Sequence, residues 1–583
     1  MPVRVAPSGG WAGNWGSLLP GVAVLRGYRR SWLRGDVLAG LTVTAYLVPQ
    51  VMAYAEIAGL PPVAGLWGMC APLVVYSVFG ASRQLSVGPE ATTSVMTAAA
   101  VGALTASAGR EHWADAAATL AIVVGLVCLI GWVARLGFLA TLLSKPVLQG
   151  YLTGVAVLMM AGQLGKLTRV DVQGDDPAAQ LASLWSRLAE VHVPTLLLAT
   201  GTLAVLVAFA RWAPRWPGPL IALLLAGTVA ALPAASGLGL NTIGAVPLGL
   251  PAPRLPDFGA IDLAATVPWA IGIALVGYSD NVLTGRAFAG RRREPLDAGQ
   301  EMLALGLCNV AAGFSNGFPS SSSSSRTALG DAMGSRTQLH SLVVLAGVLL
   351  TLAVAGPVLG SFPTAAMGAV IVYAASRLVD VGELRRIARF RRSELALVVI
   401  TAVGVVGLGV LAGIGLAVGL SLLDLIRRIA QPQAAVTGFV PGMAGMHDVT
   451  DYPGTRQVEG LVVYRYDAPL FFANSTDFVT RALAAVDASS TPVRWFVLNA
   501  EANIEVDLTA VDALEELRAS LADRGVVLAL ARVKLETREL LDEAGFTDEV
   551  GPHLIFATLP TAVAAYAADF EQALGRRPAG LPE

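Results

Sequence analysis

LSVGPEATTSVMTAAA (residues 85–100) and FSNGFPSSSSSSRTALGDAMG (residues 314–334) decide the fold. Each lies between long apolar runs, and each has an apolar part too short to cross roughly 30 Å of hydrocarbon. Pro89 and Pro319 open them, so each reads as a non-helical approach followed by a hydroxyl-rich helix start. The two prolines stand 230 positions apart. Short, proline-interrupted, polar segments at matching places in two halves point to an inverted repeat, with a binding site between two half-helices at the membrane midplane. In a soluble chain the run Ser320–Ser325 would read as a flexible linker. Here the flanking spans leave no linker to build, and a polar run at that depth must line a cavity or be buried in protein.

Composition agrees with a membrane domain. Of 583 residues 55% are hydrophobic and only 14% charged, with mean hydropathy +0.63. Asp, Glu, Lys and Arg are absent from 37–55, 57–82, 116–134, 146–165, 191–210, 216–253, 337–376 and 395–423, and about fourteen spans are expected by length. The formal charge of -2 hides two compartments: residues 1–432 carry 29 basic and 20 acidic side chains, and residues from 433 onward 11 and 22. The second part reads as a separate, soluble, acidic domain. No basic stripe interleaved with aromatics is present, so nucleic acid is not an expected partner. Cys70, Cys128 and Cys308 lack metal-ligand spacing and read as small buried residues.

Arginines set the expected orientation. Arg26, Arg29, Arg30 and Arg34 precede the first span, and later clusters, from Arg83 through Arg385–Arg392 to Arg427 and Arg428, follow even-numbered spans. The positive-inside rule then puts both termini in the cytoplasm of a multi-pass protein of the plasma (inner) membrane. The chain divides into an N-terminal segment (1–35), a transmembrane domain (36–430), a Pro/Gly-rich linker (431–457), an α/β domain (458–575) and a disordered tail (576–583).

Two half-helix N-termini that converge present free N–H groups and positive dipole ends, which attract an anion in low dielectric. Ser323, Ser324 and Ser325 add hydroxyl donors and Arg326 a fixed positive charge. Asp280, deep in its span, has Thr284 one turn later on the same face. An unpaired carboxylate there is expensive and reads as a Na+ or H+ site; the alternatives are an ion pair to Arg286 or Arg326, or a place near the interface. Glu90, at a helix start, is either a second such group or a plain cap.

These residues resemble the SulP sulfate-permease family, bacterial relatives of solute carrier family 26. The likeness is carried by DVLAGLTVTAYLVPQVMAYAEIAGLPPVAGLWG (36–68), FGASRQLSVGPEA (79–91), SKPVLQGYLTGVAV (144–157), DAGQEMLALGLCNVAAGF (297–314) and Phe318-Pro319 followed by Ser325-Arg326-Thr327. VVYRYDAPLFFANSTDF (462–478) resembles the start of a STAS domain. The resemblance implies an all-α seven-plus-seven inverted repeat, a core moving against a gate in an elevator-like manner, and a cytoplasmic STAS domain. It implies small anions as substrates (sulfate, bicarbonate, chloride or dicarboxylates) and a homodimer in membrane lipid. Pocket positions carried over fall on Gln50, Tyr54, Glu90, Ala91, Ser324, Ser325 and Arg326, and coupling-cation positions on Asp280 and Thr284. Glu90 replaces the apolar or aromatic residue common at its place; together with Asp280 it favours Na+- or H+-coupled symport. An uncoupled exchanger or channel and a membrane-anchored scaffold are the alternatives.

The tail alternates strand-like runs (461–466, 494–500, 526–531) with amphipathic helices (474–487, 509–523, 536–545). It has no P-loop, dinucleotide fingerprint or metal spacing, so an enzyme is not indicated and no cofactor is expected. The STAS resemblance puts Thr509 at the helix start where soluble relatives are phosphorylated; a cap or core contact is the plainer reading, and a cytoplasmic protein partner is implied for this domain.

Overall fold

Carboxylates and prolines mark where helices begin. A computed structural model describes residues 19–582 apart from 107–108, 142–143, 175, 215, 234–235, 245–248, 251–252 and 453. Residues 1–18 of the expected N-terminal segment, Asp175, Arg215 and Glu583 therefore lie outside the described residues. The chain splits into two compact units, up to Ser421 and from Leu422.

The first unit is helical, and its principal helices are α1 (Leu33–Ile57), α2 (Val63–Phe79), α3 (Ala91–Leu104), α4 (Trp113–Val133), α5 (Lys145–Ala161), α6 (Val193–Trp212) and α7 (Gly218–Ala231). The same order repeats in α8 (Leu263–Arg292), α9 (Ala298–Phe314), α10 (Ser324–Ala332), α11 (Leu339–Val354), α12 (Thr364–Leu378), α13 (Arg392–Leu408) and α14 (Val410–Ala430), the last continuing past the unit boundary. Among the described residues seven helical segments are long and apolar enough to cross a membrane unaided, and α2, α3, α7 and α11 are shorter apolar helices. Asp262 and Asp297 cap α8 and α9 by accepting N–H bonds from Ala264 and Gln300 at 2.8 and 3.1 Å.

Between α2 and α3 lies β1 (Val87–Gly88), and between α9 and α10 lies β2 (Ser321–Ser322). They pair antiparallel, Val87 opposite Ser322 and Gly88 opposite Ser321. The backbone ahead of each half-helix, which hydrocarbon would leave unpaired, is thus satisfied by its symmetry mate. The helices gather into two bundles: α1–α4 pack with α8–α11, and α5–α7 with α12 and α13. Within the first bundle α4 and α9 approach so closely that a Cβ on Gly125 would fall 2.6 Å from the Gly306 carbonyl oxygen, and one on Gly313 2.6 Å from that of Ala118. Small residues substitute here for a hydrophobic driving force that lipid cannot supply. Gly125→Val should therefore cost about 1–3 kcal/mol of overpacking strain, seen as a lower melting temperature in detergent, whereas Gly201→Val in α6, where a Cβ meets nothing within 4 Å, should not.

The second unit has a six-stranded sheet in the order β4-β3-β5-β6-β7-β8, with β3 (Ala434–Phe439), β4 (Met446–Asp448), β5 (Leu461–Tyr466), β6 (Trp495–Asn499), β7 (Val527–Ala531) and β8 (Ile555–Phe556). β5 to β8 run parallel, and β3 is antiparallel to β4 and β5. Because side chains alternate along a strand, Val462, Phe496 and Leu498 join one core with helices α15 (Ser475–Asp487) and α16 (Leu508–Ala522). Leu461, Val463, Trp495 and Val497 join the other with Tyr566 and Phe570 of α18 (Leu559–Leu574), which follows α17 (Leu535–Glu543). Two expectations change. The linker 431–457 is no bare connector, since β3 and β4 complete the sheet edge. The tail is held: Arg576 grips Glu459 through two bonds of 2.7 and 2.6 Å.

That pair, with the Ala579 N–H, pulls the Glu459 carboxyl from 4.5 down to about 2. A lowered carboxyl pKa gives stability present above 4.5 and lost as pH falls toward 2. In an NMR titration of residues 431–583 Glu459 should have a midpoint near 2, and Arg576→Ala should return it toward the usual carboxylate range.

Candidate functional site

The strand pair fixes the site. Arg326 Nη1 donates to the Pro89 carbonyl (2.8 Å), the Ser323 N–H to the Ser86 carbonyl (2.9 Å) and the Ser86 N–H to Thr327 Oγ1 (3.0 Å). These bonds cross between halves 237 to 241 residues apart and bring the N-termini of α3 and α10 to one place. Gly88, with φ +156, lies against the Met69 sulfur and near Arg326 Nη2, so no larger residue fits beneath the guanidinium.

The two N-termini differ. Glu90 is the N-cap of α3, and its carboxyl accepts the Thr92 N–H at 3.0 Å; the cap alternative is therefore met, and this helix end is already occupied by a side-chain oxygen. Ser323 is the N-cap of α10, but its side chain accepts none of the first N–H groups. Ser324 and Ser325 are exposed there, while Arg326 is fully buried. Arg326 Nε and Nη2 have no hydrogen-bond partner, and among the described residues no carboxylate lies within ion-pair distance of this guanidinium. The ion pairs weighed for Arg326, with Glu90 or with Asp280, are not formed.

Gln50, Tyr54, Glu90, Ala91, Asp280, Ser324 and Ser325 line one cavity of about 640 Å³. Arg326 stands behind its wall, and Thr284 bonds Ser324 hydroxyl to hydroxyl at 2.9 Å, tying α8 to the start of α10. Asp280 accepts one hydrogen bond, from the Ser322 hydroxyl at 2.9 Å. Gln50 Nε2 donates to the Tyr54 hydroxyl (2.9 Å), leaving Gln50 Oε1 unpartnered. Among the described residues no group of three or more His, Cys, Asp or Glu could hold a metal ion; the donors beside Asp280 are hydroxyls. The opposite wall comes from the second bundle: Gln149 of α5, and Tyr373 and Arg377 of α12.

Two other buried carboxylates show what structural ones look like. Asp36 accepts from the Arg336 N–H (2.6 Å), the Thr337 N–H (3.1 Å), the Thr337 hydroxyl (2.7 Å) and the Tyr28 hydroxyl (3.1 Å). Glu301 accepts from the Tyr76 hydroxyl (2.9 Å), the Ala81 and Ser82 N–H groups (both 2.9 Å) and Asn281 Nδ2 (2.6 Å). Both accept from four donors, whereas Glu90 and Asp280 each accept one hydrogen bond of 3.0 Å or less and line the cavity. Tyr46, also on the lining, was legible, since Tyr46, Gln50 and Tyr54 recur every four residues on one face of α1. Gln149, Tyr373 and Arg377 carry no such signal. In the second unit Thr509 is exposed in the first turn of α16, and the cap is Asp507, which accepts the Ala510 N–H at 2.8 Å. The plain-cap reading of Thr509 is corrected accordingly.

Residues 33–401 match the sulfate permease family, and residues 452–562 match the STAS domain. The chain belongs to the sulfate permease family. It is 53% identical over 559 residues to a probable sulfate transporter of Mycobacterium tuberculosis, covering 96% of this chain and 98% of that one. A chloroplastic sulfate transporter of Arabidopsis thaliana is 28% identical over 568 residues, covering 94% of this chain and 82% of that protein. Murine solute carrier 26 family member A9, an anion transporter solved in an inward-facing state, superposes with TM-score 0.86 at 22% identity, over 97% of this chain and 96% of that chain. The transmembrane domain of the cyanobacterial bicarbonate transporter BicA superposes with TM-score 0.59 at 23% identity, over 67% of this chain and 99% of that chain. Sulfate permease family members are transporters, not enzymes, and this one has the polytopic helical domain and the STAS domain of that architecture.

Saturated and unsaturated carboxylates should part on substitution. Glu301→Ala strands four donors and should cost about 3 kcal/mol or more, read as lost monodisperse protein. Asp280→Asn and Glu90→Gln should fold at wild-type yield.

Proposed function

We propose that the protein is a secondary active transporter of a small anion, sulfate before bicarbonate or a dicarboxylate, coupled to Na+ or H+. The observation that carries the reading is the open N-terminus of α10, backed by an Arg326 guanidinium with unpartnered nitrogens and beside a cavity lined by Ser324, Ser325, Glu90 and Asp280. Serine hydroxyls and helix N–H groups suit a tetrahedral oxyanion. The 53% identical mycobacterial relative, named as a probable sulfate transporter, favours sulfate.

Coupling follows from charge. At the binding face Arg326 contributes one positive charge, and Glu90 and Asp280 one negative charge each when ionised. A divalent anion entering that low-dielectric space meets net repulsion. A proton or Na+ on Asp280, with Ser322 and Thr284 hydroxyls as neighbours, removes it. The two bundles that share the cavity support an elevator-like motion, α1–α4 and α8–α11 carrying the site past α5–α7 and α12–α14. The protein is proposed to work as a homodimer in the plasma membrane with both termini in the cytoplasm.

Reconstituted protein should accumulate labelled sulfate only under an inward Na+ or proton gradient. Arg326→Met should lower uptake about 100-fold, the worth of a charge-assisted bond at roughly 3 kcal/mol, and Asp280→Asn should abolish gradient-driven accumulation. Sulfate flux indifferent to both gradients and to Asp280→Asn would instead make this an uncoupled exchanger or channel.

A further inference from the structure

The helix Val381–Phe390 joins α12 to α13, and the membrane reading of those two helices puts it at the boundary where α12 ends. Asp380 caps it by accepting the Glu383 N–H at 2.9 Å. It is amphipathic. Ile387 is 4% exposed against the protein, while Phe390 is 70% and Val381 51% exposed. Around it stand Arg385, Arg386, Arg389, Arg391 and Arg392, with Lys145 from the first turn of α5 alongside. The acidic residues between 380 and 394 are Asp380, Glu383 and Glu394, so six cations face three carboxylates. Glu383 is shared by Lys145 at 2.7 Å and Arg386 at 3.6 Å, both of which stay open to solvent. A cavity of about 430 Å³ lies among Lys145, Pro146, Arg386, Arg389 and Phe390, with the Glu383 and Glu394 carboxylates also on its lining, three cations against two acids.

Arginines at the end of a span serve to orient it, and they do so from any loop. Orientation needs neither an amphipathic helix nor a basic cavity beside it. A helix with one seated apolar residue, exposed Val381 and Phe390 and a crown of arginines matches a surface that is apolar below and anionic above. The only such surface at the joint of two membrane helices is the lipid leaflet itself. We infer that Val381–Phe390 and the adjoining cavity form a binding site for the phosphate headgroup of an anionic phospholipid, with Lys145, Arg386 and Arg389 as headgroup ligands and Phe390 in the acyl-chain boundary. Glu383 holds Lys145 and Arg386 at the cavity rather than consuming both charges. The site is separate from the transport cavity but tied to it: Asp380 begins this helix and also lines that cavity with Arg377 of α12. A bound headgroup therefore braces the end of the wall against which the anion site moves. The inference rests on the membrane reading of α12 and α13, not on what the protein transports.

Native mass spectrometry of the full-length protein, released from nanodiscs of mixed phosphatidylglycerol and phosphatidylcholine, tests this without any flux assay. Wild type should retain phosphatidylglycerol over phosphatidylcholine. The double variant Arg386→Gln, Arg389→Gln should lose at least about ten-fold in that preference, given the electrostatic contribution of each basic residue near an anionic surface. The matching double Lys variant should keep it, and inorganic phosphate at millimolar concentration should not displace the lipid. Should the Gln variant fold poorly, Phe390→Trp in the intact basic background gives a second reading: brominated phosphatidylglycerol should quench the added fluorescence more than brominated phosphatidylcholine. Equal retention of both lipids by wild type and Gln variant, or equal quenching by both brominated lipids, would overturn the site and assign the arginines to orientation or to a soluble acidic partner.

Discussion

Four residues of β-pairing, Val87 with Ser322 and Gly88 with Ser321, carry the architecture of the membrane unit. Hydrocarbon forbids unpaired backbone, so a helix broken at mid-membrane needs a partner for its loose end. Each broken segment here is the other's partner. That requires two halves of opposite direction, so the inverted repeat follows from the hydrogen-bonding need as much as from any duplication. It also brings two helix N-termini together, and a field favourable to an anion is the unavoidable by-product.

The chain treats these two ends unequally. Glu90 fills the end of α3 with its own carboxylate, while α10 stays open. A site built so is not a plain anion trap. It holds an acidic group beside the proposed anion position and a second, Asp280, on the adjoining helix. The same interior contains Asp36 and Glu301, each saturated with four donors and each bridging distant segments. Donor saturation, rather than depth, separates carboxylates that hold the fold from those left able to gain a proton or cation.

Much of this was legible in the chain, for identifiable reasons. Pro89 and Pro319 are strong local breakers, so the broken helices could be read directly. The strands of the second unit were found where they are β-rich and continuous: 461–466 coincides with β5, and 494–500 contains β6. β3 and β4 give no such signal because Pro and Gly are scattered through 431–457, and their pairing is set by the neighbouring sheet edge. The tail gives no such signal because the contacts that hold it, Arg576 and the Ala579 N–H with Glu459, span more than a hundred residues. Gln50, Tyr54, Glu90, Ala91, Ser324 and Ser325 line one cavity, and Arg326 is buried and not on its lining. Glu301 gave no signal, since a carboxylate's donors come from α2, α8 and a loop that only folding brings near it.

Locating a sulfate isostere in the protein tests the central claim most directly. A crystal grown with selenate and recorded at the selenium edge should show one anomalous peak at the start of α10, within hydrogen-bond reach of Ser324 and Ser325 and on the Arg326 side of the cavity. A peak elsewhere in the membrane unit, with the end of α10 empty at saturating selenate, would contradict an anion site built from the paired half-helices.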